Sequence, residues 1–138
     1  MSMTDEPLPA RPAATVMLIR DGRSPLEIFL MRRHSAMEFV AGVMVFPGGG
    51  VDGRDRTADV AWHGPDRQWW AERFGVDPDL ASALVCAAAR ETFEECGVLF
   101  AGAADDPDLL VDDASVYREQ RAALENKSLS FAEFLRSE

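Results

Sequence analysis

The sequence predicts one α/β domain, because short β-type runs come first and a long helical run follows. Its 138 residues, 47% hydrophobic and 28% charged, suit a single ordinary globular domain. No apolar run reaches the roughly 18 residues that a membrane helix needs. We expect residues 1–12, which are acidic and rich in proline, to form a flexible leader, and residues 13–138 to form the domain.

Three β-type runs open the domain. They cover residues 14–20, 26–31 and 42–46. The first two flank a turn-type sequence at residues 21–25 and are expected to pair as a hairpin. The third is expected to stop at the run Pro47–Gly50, because glycines favour a tight turn. Residues 51–77 are polar and irregular but contain three tryptophans, which we expect to pack on the body of the domain.

The strongest helix signal runs from residue 80 to residue 96. Asp77 suits the N-cap, Pro78 suits the first helical position, and Gly97 suits the left-handed residue that ends a helix. Four further elements are expected beyond it. They are a short strand at 98–100, an acidic loop at 101–113, an amphipathic helix at 114–126 and a capped helix opening at Ser130.

Composition restricts the class of partner. With 24 acidic against 14 basic residues the formal net charge is −10, so the surface repels phosphate backbones and nucleic-acid binding is not expected. An anionic substrate would need a cation added at the site. Cys86 and Cys96 lie on the predicted helix roughly 15 Å apart, too far for a disulfide. Two free thiols and an N-terminus without a secretory pattern predict a cytoplasmic protein.

Three glutamates end the long helix on one face. Glu91, Glu94 and Glu95 are spaced i, i+3 and i+4, so their carboxylates repel one another, and the negative end of the helix dipole adds to the repulsion. Hard oxygen ligands at this spacing suit Mg²⁺ or Mn²⁺. A solvated acidic patch in which Arg90 pairs with Glu94 is the alternative. The glycine run upstream favours the metal site, because it exposes backbone groups to a ligand.

These residues resemble the Nudix box, G-x5-E-x7-R-E-U-x-E-E-x-G-U, where U is aliphatic. The matching residues are Gly49, Arg90, Glu91, Glu94, Glu95, Gly97 and Val98. Asp55 stands where the family usually has glutamate, and Thr92 stands in a usually aliphatic position. From Asp55 the pattern would place the arginine at position 63, whereas it stands at 90, so about 27 residues interrupt the box.

A box interrupted at this point is similar to the branch that includes peroxisomal coenzyme A diphosphatases. The interruption is therefore interpreted as an insertion at about 56–77. That branch also has a coenzyme A motif ending in F-P-G-G. Arg33 and Gly42 fit this motif, whereas Glu38 replaces its second arginine and His34 replaces its serine, so the match is partial.

The resemblance implies hydrolysis of a nucleoside diphosphate linked to another moiety, with coenzyme A or an acyl-CoA as one substrate. It implies metal ligation by Glu91, Glu94 and Glu95, helped by the Gly48 carbonyl. Glu94 is the candidate base, and Arg90 is expected to orient the glutamates. Arg33 and Gly49 are expected to contact substrate. The alternatives are hydrolysis of nucleotide sugars or nucleoside triphosphates, and a non-catalytic module that binds a nucleotide or a metal.

The implied fold is an α/β/α sandwich with a mixed sheet. That sheet needs strands after the helix of the box, whereas residues 101–138 look helical. We therefore expect an incomplete domain, the N-terminal part of a longer enzyme. Apolar side chains of Val16, Leu18, Phe29 and Val45 would then lack cover, and a homodimer or other association is expected.

Overall fold

The computed structural model describes residues 7–32, 42–106 and 108–138. The strands are β1 (Ala13–Thr15), β2 (Ile19–Arg20), β3 (Glu27–Ile28), β4 (Met31–Arg32), β5 (Met44–Val45) and β6 (Gly48–Gly50). The helices are α1 (Gly53–Arg56), α2 (Arg67–Phe74), α3 (Pro78–Cys96), α4 (Arg118–Glu125) and α5 (Phe131–Ser137), and a 3₁₀ turn at Ala114–Tyr117 precedes α4. Strands followed by helices match the predicted α/β class.

The described strands pair antiparallel in three short ladders. β1 pairs with β6, β2 with β3, and β4 with β5. The predicted hairpin is present, with Ile19 opposite Ile28 and Arg20 opposite Glu27. A hydrogen bond from Phe29 N to Leu18 O, 2.9 Å long, extends it beyond the ladder. The parallel pairing of a mixed sheet is not among the ladders in the described part of the chain.

The third predicted strand ends before the glycine run, as β5 at Val45, but the run itself forms the separate strand β6 and not the expected tight turn. Gly48, Gly49 and Gly50 lie opposite Thr15, Ala14 and Ala13 of β1. A Cβ atom on Gly48 would overlap the Ala14 carbonyl oxygen and lie 2.9 Å from Thr15 Cα. The absence of a side chain therefore permits close pairing with β1. Pairing with a distant segment outweighs the local tendency of glycine to turn.

Helix α3 has the predicted ends. The Asp77 side chain accepts hydrogen bonds from Asp79 N and Leu80 N, and Gly97 adopts the left-handed conformation at φ 74°. The C-terminal half of α3 packs on the last two helices. Phe93 and Phe134 are fully buried and stack with ring centroids 5.5 Å apart. The core cluster at this interface comprises Cys86, Phe93, Leu99, Leu124, Phe131 and Phe134.

Residues 98–100 form no strand, contrary to expectation. Leu99 is 5% exposed and belongs to the helical core, whereas Val98 and Phe100 on either side of it are exposed. The chain turns back farther on, through an isolated bridge between Gly102 and Leu110. The last helix begins as predicted: Ser130 and Glu133 form a reciprocal capping box.

The segment 56–76 contains helix α2 and no strand, matching the expected loop or short helix. Its aromatic residues pack on one another: Trp69 and Trp70 meet edge to face at 4.8 Å, and Trp70 lies 5.3 Å from Phe74. Trp69 remains exposed, so packing on the body is only partial. No helix in the described ranges is long and apolar enough to cross a membrane.

Apolar side chains are exposed on the hairpin. Of the four residues expected to lack cover, only one is exposed. Val16, Leu18 and Val45 are half-buried, whereas Phe29 is exposed as expected. Neighbouring residues are also exposed: Ile19, Leu26 and Ile28 are 59%, 53% and 48% exposed.

Candidate active site

The candidate site forms where the C-terminal half of α3 meets β6 and α1. Arg90 occupies its centre and is held by Asp55 through two hydrogen bonds of 2.9 Å, from Nε to Oδ1 and from Nη2 to Oδ2. Its Nη2 also donates to the Gly50 carbonyl at 3.1 Å. Asp55 is 3% exposed. These contacts lock the guanidinium in one orientation.

Arg90 stays charged in this environment. Burial alone would lower the pKa of Arg90, but hydrogen bonds from its guanidinium to Asp55 and the charges of Asp55, Glu91 and Glu94 raise it above its ordinary value. A buried cation so surrounded is compensated by several carboxylates at once. It can therefore serve as a fixed anchor for the acidic side chains around it.

Two of the three predicted ligands converge on Arg90. Its Nη1 donates to Glu91 Oε1 at 3.0 Å and to both carboxylate oxygens of Glu94 at 3.2 Å. These contacts place Arg90 between the two carboxylates, and its role in orienting them for catalysis stays a prediction. The pairing of Arg90 with Glu94 also occurs as in the acidic-patch alternative, but Arg90 is inside the site rather than at the surface.

The third glutamate has a different neighbour. Glu95 Oε2 accepts a 2.9 Å hydrogen bond from Gly48 N, across the gap between α3 and β6. Gly48 therefore contacts the acidic set through its N–H, and metal ligation by its carbonyl stays a prediction. A Cβ atom on Gly49 would overlap the Glu91 carboxylate. The second glycine thus leaves the space that Glu91 occupies, while its contact with substrate stays a prediction.

The mutual repulsion argued from spacing is visible at Glu94. Burial raises the pKa of Glu94, Arg90 lowers it, and the negative charges of Glu91 and Asp55 raise it again, so the pKa lies above its ordinary value. Ionisation of Glu94 therefore costs more free energy in the folded protein than in water. Added positive charge would relieve this cost.

The residues fit a hard divalent cation by their chemistry. Glu91, Glu94 and Glu95 all offer carboxylate oxygens. Glu91 and Glu94 both accept from Arg90 Nη1, and Gly49, which has no side chain, leaves room for the Glu91 carboxylate. As they stand, no three His, Cys, Asp or Glu side chains in the described ranges are grouped closely enough to hold a metal.

Two further residues support the site, and sequence reasoning missed their roles. Asp55 was noted only as a departure from the family pattern, but it positions Arg90. Arg121 of α4 donates from Nε to the Glu94 carbonyl at 2.8 Å, which places a cation at the C-terminal turn of α3. Position in the box pointed to Asp55, whereas no local signal pointed to Arg121. Arg33 lies outside the described residues.

Comparison with known proteins supports the same class of fold. No protein-family model matches the sequence, and no curated protein matches it. The structure is similar to the crystal structure of a NUDIX hydrolase from Alicyclobacillus acidocaldarius, with 32% identity and a TM-score of 0.65. The match covers 91% of this chain and 51% of that one.

The chain thus has an α/β fold of the Nudix hydrolase type, as the sequence predicted. It spans about half the length of the solved relative.

Proposed function

We propose that this chain carries the metal-binding part of a Nudix hydrolase, which cleaves the pyrophosphate linkage of a nucleoside diphosphate joined to another moiety. The observation that carries the proposal is the Asp55–Arg90 pair holding Glu91 and Glu94, with Glu95 facing Gly48. In a solvated acidic patch, we would expect neither a largely buried arginine paired with the carboxylates nor a glycine whose missing side chain leaves space for one of them. Coenzyme A or an acyl-CoA is the proposed substrate within this class.

Glu91, Glu94 and Glu95 would hold Mg²⁺ or Mn²⁺. When bound, such a cation neutralises charge on the pyrophosphate oxygens and makes water a better nucleophile. Asp55 and Arg90 keep the glutamates oriented, so the carboxylates need little rearrangement during the reaction. Glu94, whose side chain is 13% exposed, is the proposed acceptor of the proton of the attacking water.

The substrate is proposed to be a small molecule, and the compartment the cytoplasm. A net charge of −10 opposes binding to nucleic acid. Both cysteines are free, which is consistent with a reducing compartment. A homodimer is proposed from the exposed apolar side chains of the hairpin.

The decisive experiment measures phosphate or nucleotide release from a panel containing coenzyme A, an acyl-CoA, nucleotide sugars and nucleoside triphosphates, with Mg²⁺. Calorimetry with Mn²⁺ on the parent and on Glu95→Gln accompanies it. Hydrolysis of one conjugate, with weaker Mn²⁺ binding in the variant, supports the proposal. Metal binding without any turnover would instead support a non-catalytic module, and equal Mn²⁺ affinity in both proteins would refute the ligand set.

A further inference from the structure

A cavity of about 440 Å³ opens directly beside Glu91 and Glu94. It lies between the residues that lead into β1, helix α1 and the turn after α4. Besides the site residues, the basic residues Arg11, Arg54 and Lys127 line it, together with the acidic residues Asp52 and Glu125. The volume is within the range of small-molecule sites. The cavity therefore places cations next to the proposed metal ligands.

The three basic side chains differ in how strongly they are paired with acidic or carbonyl groups of the protein. Arg54 is engaged by Asp52 Oδ1 at 3.2 Å and by the Lys127 carbonyl at 3.0 Å. Lys127 Nζ has a looser contact, 3.8 Å from Asp52 Oδ2, and its side chain is 74% exposed. Such an exposed ion pair contributes little to the stability of the fold. Arg11 is exposed and has no ion pair with any other residue that the structure describes.

The backbone of Lys127 adopts the left-handed conformation at the end of α4. Its φ is 63°, in the left-handed region, and no other non-glycine residue in the described ranges has a positive φ. It ends α4, where its N–H donates to the Leu124 carbonyl at 3.0 Å. Glycine would adopt this conformation without strain. A left-handed residue is common just after a helix C-terminus, and this one places Lys127 at the rim of the cavity.

We propose that Arg11 and Lys127 bind a phosphate group of the substrate inside this cavity. The inference rests on the proposed function, because it adds the substrate contacts to the same site. The chain has a net charge of −10, so local cations as well as the metal would favour entry of a polyanion. Arg11 lies just before Pro12, whose carbonyl accepts from Val51 N at 2.9 Å, so the segment carrying Arg11 is tied to the site.

The test uses inorganic pyrophosphate as the probe, with binding to the full chain measured by calorimetry in the presence of Mg²⁺. The variants are Arg11→Gln, Lys127→Gln and Lys127→Gly. The matched control is Arg23→Gln, which removes an exposed arginine in the β2–β3 turn outside the cavity. We expect each cavity variant to bind pyrophosphate about tenfold more weakly and the control to bind like the parent.

The two Lys127 variants separate charge from backbone strain. Both lose the charge, but only Lys127→Gly relieves the left-handed backbone, so it should unfold at a higher temperature than Lys127→Gln while binding equally weakly. Parent-like affinity in the cavity variants, or an equal loss in Arg23→Gln, would overturn the inference. Turnover of the conjugate panel tests the proposed function separately, since hydrolysis with unchanged KM in these variants would refute only the phosphate contacts.

Discussion

Replacing Asp55 by asparagine tests whether the buried pair with Arg90 organises the site. Asp55 accepts two bonds of 2.9 Å from Arg90 and one of 2.8 Å from Asp52 N, and Cys86 Sγ lies 3.6 Å from Oδ1. Asparagine keeps the size and one acceptor, but it turns an NH₂ group toward a donor. It also removes the charge that balances a largely buried guanidinium.

The expected cost follows from these contacts. Breaking a buried ion pair from one side costs about 3–5 kcal/mol, because a charge is left without its partner. Arg90 keeps Glu91 and Glu94, whose side chains are 15% and 13% exposed, so compensation is partial. We therefore expect Asp55→Asn to lower the free energy of unfolding by about 3 kcal/mol, at the low end of that range.

Urea denaturation followed by circular dichroism measures the change, with Asp21→Asn, an exposed aspartate in the β2–β3 turn, as control. A double-mutant cycle with Arg90→Gln should give a coupling energy of about 2 kcal/mol between the two residues. A loss under about 0.5 kcal/mol, equal to that of the control, would show that Asp55 does not hold Arg90 in solution.

Three further predictions concern the glycines, Glu94 and the exposed hairpin. In thermal melting, Gly48→Ala should destabilise the fold, because its Cβ atom would overlap the backbone of β1. In calorimetry, Gly49→Ala should mainly weaken Mn²⁺ binding, because its Cβ atom would displace Glu91. Gly50→Ala, whose nearest contact is at 3.9 Å, should be neutral in both assays, and similar behaviour of all three variants would contradict the packing. Because the pKa of Glu94 is raised, ionised Glu94 lowers the stability of the folded protein at pH values above that pKa. Metal-free Glu94→Gln should therefore have a higher melting temperature than the parent at pH 7, and the difference should vanish below the ordinary pKa of 4.5. A lower melting temperature of the variant at pH 7 would refute this. Light scattering should show self-association that Ile28→Lys, at a 48% exposed position, reduces; a monomeric parent would remove the proposed dimer.

Features that depend on neighbours a few residues away are predictable from the amino-acid sequence alone. Asp77 and Gly97 mark the ends of α3, and Ser130 marks the start of α5, because capping bonds reach only two to four residues. The shared face of Glu91 and Glu94 follows from the helical repeat alone. These local rules predicted the helix that carries the acidic residues before any tertiary contact was known.

Pairings and contacts between segments that are distant in the chain appear only in the folded structure. Gly48–Gly50 became a strand because β1 was available to pair with it, and Leu99 joined the core because its side chain fills space beside the helices. Asp55 meets Arg90 from 35 positions away, and Arg121 reaches the Glu94 carbonyl from 27 positions away. Local propensity carries no information on such contacts, because their energy appears only when the chain brings the partners together.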